Sequence, residues 1–106
     1  MKSILICFML LIGVSYGNSV TARVELVSSS CDFFVVELRN GDFVLIERLS
    51  GRMPNVGHTL YGNFRRAGGR RTITNRNASN EIVVRVEEDW LSRRNAIEMF
   101  NRRCLR

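Results

Sequence analysis

Lysine is absent from the chain after Lys2, and other residue types that carry chemistry are scarce. The 106 residues include one histidine, one proline, one tryptophan and three cysteines. A single histidine beside cysteines that are expected to pair leaves no ligand set with zinc spacing. No glycine motif for phosphate binding and no serine nucleophile motif is present. We therefore expect no metal, no cofactor and no enzymatic activity.

No apolar run reaches the roughly 20 residues that a membrane-spanning helix requires. The longest run lies within residues 1–17 (MKSILICFMLLIGVSYG), where Lys2 precedes it and the small residues Ser15 and Gly17 follow it. This pattern is typical of a secretory signal peptide; a membrane anchor is the alternative. We predict that residues 1–17 are a signal peptide and that 18–106 form one small domain, exported to the periplasm or outside the cell.

Cysteine usage agrees with export. Cys7 lies inside the apolar run and is interpreted as part of the signal, which leaves Cys31 and Cys104. An even cysteine count in an exported protein predicts a Cys31–Cys104 disulfide, and two free buried thiols are the alternative. In the simple chain-entropy treatment such a loop stabilises the fold by about 4 kcal/mol.

The stretch from residue 33 to 49 (FFVVELRNGDFVLIERL) is the most strongly specified part of the chain. Asn40-Gly41 separates two apolar runs and predicts a two-residue type I′ hairpin turn. In that register Leu38 faces Phe43 and Val36 faces Leu45. Apolar residues occupy both faces of the hairpin, so we expect it to lie centrally with both faces covered.

Five further elements complete the predicted fold. Alternation predicts strands at 20–26, 58–64 and 81–87, with a short strand at 72–74 and surface loops at 50–57 and 75–80. From residue 90 to about 103 the period becomes helical, with Trp90, Ile97 and Cys104 on one apolar stripe beside Ala96 and Phe100. The pattern predicts a mainly β protein: a five- to six-stranded barrel with a C-terminal helix, similar in plan to OB-like or SH3-like barrels. A β-sandwich with a flanking helix is the alternative.

Arginine is the dominant surface feature. From Asn18 onward the chain carries 15 arginines, no lysine and 10 acidic residues, a net charge of +5. Between Phe64 and Asn80 there are arginines but no acid, and Tyr61 is the nearest exposed aromatic residue. These side chains form the candidate site, which comprises Arg65, Arg66, Arg70, Arg71, Arg76 and Tyr61.

The segment suits an anionic partner, because guanidinium groups bind phosphate, sulfate and carboxylate bidentately. A solvated loop is the simpler interpretation. Single-stranded nucleic acid needs more exposed aromatic residues for stacking, so we favour a polysaccharide or envelope phosphate over nucleic acid. We thus predict an exported, non-enzymatic binding module. The alternative is a protein-interaction or inhibitor domain that uses a strand edge or the 50–57 loop.

Other residues have less specific interpretations. A small secreted nuclease would need His58 to converge with Glu37 or Glu47 and with Arg48. The acids at 87–89 are expected to serve the helix N-terminus. Trp90 is expected to anchor the core, with a ligand platform as the alternative. Residues 77–79 (Asn-Ala-Ser) match the N-glycosylation acceptor pattern.

Overall fold

Six strands and one helix follow one another along the chain. The computed structural model describes residues 19–104, so the predicted signal peptide lies outside the described residues. The elements are β1 (Val20–Leu26), β2 (Phe33–Leu38), β3 (Phe43–Ser50), β4 (Thr59–Gly62), β5 (Arg70–Asn75), β6 (Asn80–Leu91) and α1 (Arg93–Cys104). No helix within residues 19–104 has the length and apolar character needed to cross a membrane.

The strands close into a barrel. Their order around it is β1-β2-β3-β6-β5-β4, each neighbouring pair is antiparallel, and β4 pairs with β1 to complete the circle. The prediction of a small barrel with one C-terminal helix is confirmed. Closure leaves none of these strands as a free edge.

The β2–β3 hairpin forms as predicted, but the predicted register is wrong by one residue. Val36 faces Val44 and Glu37 faces Phe43. The Leu38 amide donates to the Asp42 carbonyl at 2.8 Å, so the loop has three residues, and only Gly41 has a positive φ, of 95°. A one-residue change in register exchanges the two faces of one strand.

The corrected register separates two apolar clusters. Phe34, Val36, Val44 and Ile46 point into the barrel, where they pack with buried residues of the other strands. Val35, Phe43 and Leu45 point outward, where Ala96 and Phe100 of α1 cover them. The central hairpin is therefore covered on both faces, as its composition predicts.

The disulfide fixes α1 against this outer face. Cys31 precedes β2 and Cys104 ends α1; their Cα atoms lie 5.5 Å apart and the two residues are bonded. Ser92 caps the helix, since its Oγ accepts a hydrogen bond from the Asn95 amide at 3.1 Å. The predicted cysteine pairing is confirmed.

The helix begins later than predicted because β6 continues further. β6 extends to Leu91 and contains a bulge, since Phe43 and Leu45 of β3 face Leu91 and Glu88 respectively. An advance of three residues along β6 thus corresponds to two residues along β3, so β6 carries one extra residue. The extra residue lies in the segment 89–90, where Trp90 has a φ of 60°.

Candidate anion-binding surface

α1 packs mainly over β2 and β3 and reaches the end of β1 at Glu25 and Leu26, so it leaves the outer faces of β4, β5 and the first part of β1 uncovered. Along these strands buried residues alternate with exposed or half-buried polar ones, so hydroxyl and guanidinium groups share the outer face. We call this surface the outer wall. It comprises Thr21, Arg23, Thr59, Tyr61, Arg70, Thr72 and Thr74, with Arg76 from the following loop.

Two shallow grooves cross the outer wall. One, of about 440 Å³, lies where β4 and β5 diverge and is lined by Ser19, Tyr61, Gly62, Asn63, Arg71, Thr72 and Thr74. The other, of about 280 Å³, lies over β1 and is lined by Thr21, Ala22, Arg23, Glu37, Leu38, Arg39 and Thr59. Among residues 19–104 no carboxylate lines the first groove, and Glu37 in the second is accompanied by two arginines.

The first groove exists because β4 and β5 pair over a short length. Cα partners are found only at Leu60 with Asn75 and at Tyr61 with Thr74. Beyond them the Arg71 side chain takes the place of backbone pairing, and its Nη1 donates to the Asn63 carbonyl at 3.2 Å. A guanidinium group and an amide side chain therefore border the opening.

Arg70 and Arg76 on the outer wall, and Arg66 at the end of the barrel, are the predicted site arginines whose guanidinium groups remain available to a ligand. All three are exposed, and within residues 19–104 none has a carboxylate at ion-pair distance. The Arg76 guanidinium carbon lies 4.6 Å from the centre of the Tyr61 ring. Tyr61 and Arg76, predicted together, are thus in contact, which orients the guanidinium beside the groove.

Arg65 and Arg71 contribute to the scaffold through their side chains, and Arg66 contributes through its backbone. Arg71 Nη2 donates to the Arg66 carbonyl at 2.8 Å. Burial lowers the pKa of the Arg71 guanidinium; the positive charge of Arg66 lowers that pKa further, and Asp89 opposes the change. Arg65 Nη2 pairs with Asp42 Oδ2 at 3.2 Å. These contacts hold the segment 63–69 at one end of the barrel.

The glycines of this segment are also tied to the barrel. The Gly68 amide donates to the Val86 carbonyl at 2.6 Å, and the Val86 amide donates to the Gly69 carbonyl at 3.1 Å. The arginine-rich segment is therefore hydrogen-bonded to β6 at these two glycines.

The expected core position of Trp90 is wrong. Trp90 lies in β6 before the helix and is 68% exposed. Arg65 stacks on its ring with the guanidinium carbon 3.8 Å from the centroid. The heptad spacing with Ile97 and Cys104 was coincidental, since a bulged strand does not continue the helical period.

The expected helix-terminal role of the acids at 87–89 is also wrong. The first turn of α1 contains no acidic residue. Glu87 Oε2 pairs with Arg103 at 2.9 Å, and Asp89 Oδ2 accepts a hydrogen bond from the Arg66 amide at 3.2 Å. The acids therefore tie β6 to α1 and to the segment 63–69.

The nuclease residues do not converge among the described contacts. His58 Nδ1 lies 3.0 Å from Asn75 Nδ2, whereas Glu47 pairs with Arg85 and Arg48 pairs with Asp32. Within residues 19–104 no group of His, Cys, Asp and Glu side chains is arranged to hold a metal ion.

The 50–57 loop packs against the barrel and is hydrogen-bonded to β1. The Gly57 amide donates to the Val24 carbonyl at 2.9 Å, and Pro54 is buried. Asn77 lies in the exposed β5–β6 loop, where its Oδ1 accepts a hydrogen bond from the Thr59 amide at 2.6 Å. Its glycosylation stays a prediction.

Sequence reasoning missed the threonines of the outer wall. Thr21, Thr59, Thr72 and Thr74 alternate with buried residues in three neighbouring strands, and that alternation was visible in the sequence. They form one surface only because β1 pairs with β4 and closes the barrel.

Comparison of the chain with protein-family models, curated proteins and solved structures finds no match.

Proposed function

We propose that this protein is an exported, non-enzymatic binding module that holds an anionic polymer on the outer wall. The observation that carries the proposal is the groove between β4 and β5, which the described residues line with hydroxyl, amide and guanidinium groups and with no carboxylate. The apolar segment at residues 1–17 and the Cys31–Cys104 disulfide support export.

The chemistry of the wall favours carboxylate, sulfate or phosphate. Arg70 and Arg76 supply planar donor pairs that match these oxyanions, and they are not neutralised by acids within the described residues. Threonine hydroxyls beside them can donate to or accept from sugar hydroxyl groups. The combination suits an acidic or sulfated polysaccharide, or a phosphate-bearing envelope polymer.

Aromatic content separates these polymers from nucleic acid. Single-stranded nucleic acid binding depends on several aromatic residues on which successive bases stack. The described outer wall offers one, Tyr61, and Arg76 already lies over its ring. We therefore place polysaccharide and envelope polymers before nucleic acid.

The wall is held in place before any ligand arrives. Tyr61 pairs with Thr21 of β1 and with Thr74 of β5, so its strand is fixed on both sides. Strand spacing places the outer faces of β1, β4 and β5 within about 10 Å of one another. Because the groups are preorganised, binding need not order a loop.

Charge reversal at the exposed wall arginines tests the proposal. We expect the Arg70→Glu/Arg76→Glu variant to lose at least about tenfold in affinity for a heparin oligosaccharide, since one charge-assisted hydrogen bond contributes about 1.5–3 kcal/mol. Arg71 and Arg65 are left unchanged because their side chains bond the scaffold.

The matched control is Arg94→Glu/Arg102→Glu, which changes net charge equally at two exposed α1 residues. These arginines also have no ion-pair partner within residues 19–104. Circular dichroism checks that both variants are folded. If both variants lose affinity for the oligosaccharide equally, net charge alone explains the binding, and the outer wall is not the binding site.

A further inference from the structure

Trp90 occupies a position that its own side chain disfavours. Its φ of 60° is left-handed, which costs about 1–2 kcal/mol for a residue with a Cβ. The bulge that contains it brings Leu91 opposite Phe43, next to the cluster beneath α1. That packing accounts for the bulge, but a glycine or asparagine would form the same bulge with less strain.

The exposure of the indole is a second feature that does not contribute to folding stability. Trp90 is the only tryptophan of the chain, and 68% of its surface is exposed. A buried indole would contribute to the core, whereas this one is directed outward by the bulge. Strain and exposure at one aromatic residue point to binding.

The indole is held as a rigid platform. Arg65 stacks 3.8 Å from the ring centroid on one face and is fixed by Asp42 at 3.2 Å. Asp42 in turn accepts a hydrogen bond from Asn40 Nδ2 at 3.2 Å. With one face covered by a guanidinium group and most of the residue exposed, the opposite face is open to a flat, weakly polar ligand.

The rim of the platform has balanced charge. Arg65 is paired with Asp42, and Asp89 accepts from the Arg66 amide at 3.2 Å. Arg65 Nη1 is a buried donor without a hydrogen-bond partner within the described residues. Donors beside acceptors, rather than an excess of cations, suit hydroxyl groups, which both donate and accept.

We propose that Trp90 and Arg65 form a second site that stacks one neutral sugar ring. The axial C–H face of a pyranose packs on the open indole face, while Arg65, held by Asp42, supports the indole from the opposite face. A membrane surface fits poorly, because Val20 is the only other exposed apolar side chain of the described residues that borders Arg65. The site does not rest on the proposed function of the outer wall.

Tryptophan emission, excited at the red edge where tyrosine does not absorb, reads this site alone, because the chain has no other tryptophan. The probes are maltotriose, cellotriose and chitotriose, with an oligo-glutamate peptide as the acidic comparison. We expect at least one trisaccharide to produce a saturable change in emission of the wild-type protein. Absence of a change with all three sugars, or a change with the peptide alone, would overturn the inference.

Calorimetry of variants then separates binding from structure. We expect Trp90→Gly to lose at least about tenfold in affinity for the active trisaccharide, which corresponds to about 1.4 kcal/mol. Trp90→Asn, which also tolerates the left-handed conformation, should behave alike, whereas Arg70→Glu/Arg76→Glu should bind the sugar as the wild type does. Unchanged affinity in both Trp90 variants, or their global unfolding, would overturn the assignment of Trp90 as a ligand platform.

Discussion

Reduction of the Cys31–Cys104 disulfide should remove a large part of the stability of this fold. The bonded residues are 73 positions apart, so the cross-link closes a long loop in the unfolded chain. The chain-entropy treatment assigns about 4 kcal/mol to a loop of this length at 25 °C. Domains of ordinary stability unfold at a cost of about 5–15 kcal/mol, so the reduced protein should retain a small margin.

The loss should fall first on α1. Two buried residues of the helix, Ala96 and Phe100, contact the outer cluster, whereas the barrel interior forms a separate cluster without helix residues. Burial of one phenylalanine contributes about 1.5–3 kcal/mol, which is less than the cross-link contributes. We therefore expect the reduced protein to keep its barrel while α1 opens more often.

Urea unfolding with and without reductant measures the loss of stability. Amide hydrogen exchange measures how often α1 opens. The Cys31→Ala/Cys104→Ala variant in oxidising buffer should match the reduced wild type, which controls for effects of the reductant. A loss of less than about 1 kcal/mol would refute the loop-entropy argument. Equal acceleration of exchange in α1 and in β6 would refute the separation of helix from barrel.

Two further substitutions test the barrel that supports the site. Gly62→Ala should destabilise the protein by about 1–3 kcal/mol in urea unfolding, because an added Cβ would lie 2.5 Å from Ile73 Cγ2; Thr72→Ala on the exposed face should change stability by less than about 0.5 kcal/mol. Asn75→Ala should cost about 1–3 kcal/mol in the same assay, because the buried Asn75 Oδ1 accepts from the amides of Asn77 at 3.0 Å and Ala78 at 3.2 Å. Wild-type stability in either variant would contradict these packing and hydrogen-bond arguments.

The hairpin shows how far local sequence determines the fold. Asn40-Gly41 correctly predicts a turn, but the pair also fits a three-residue loop in which Gly41 alone is left-handed. The Asn40 side chain accepts from the Asp42 amide at 3.0 Å, which favours the observed loop. Because both faces of β2 and β3 are apolar, the hydrophobic pattern could not reveal the one-residue error.

Trp90 shows where periodicity fails. Its seven-residue spacing from Ile97 suggested one helix face, but the strand continues to Leu91 and the helix starts after Ser92. The bulge that ends the strand depends on the pairing of β6 with β3. A long-range pairing of this kind leaves no local mark in the sequence.

The arginines show the same limit for the candidate site. Sequence proximity grouped five of them, whereas the structure separates exposed Arg70 and Arg76 from Arg65 and Arg71, which bond the scaffold. The difference arises because Asp42 pairs with Arg65 and the Asn63 carbonyl accepts from Arg71. Asp42 lies 23 positions from Arg65 in the sequence. Composition therefore predicts the sign of the surface, and tertiary contacts decide which guanidinium groups are free.

Amide chemical-shift mapping of a heparin oligosaccharide onto the protein tests the proposed function most directly. The account predicts that shifts concentrate at the outer wall, in β4, β5 and the loop that carries Arg76, and that they are small in α1. The helix is the internal reference, because it carries exposed Arg94 and Arg102 without the groove. Shifts spread evenly over the arginines of both surfaces, or centred on α1, would contradict a built binding surface.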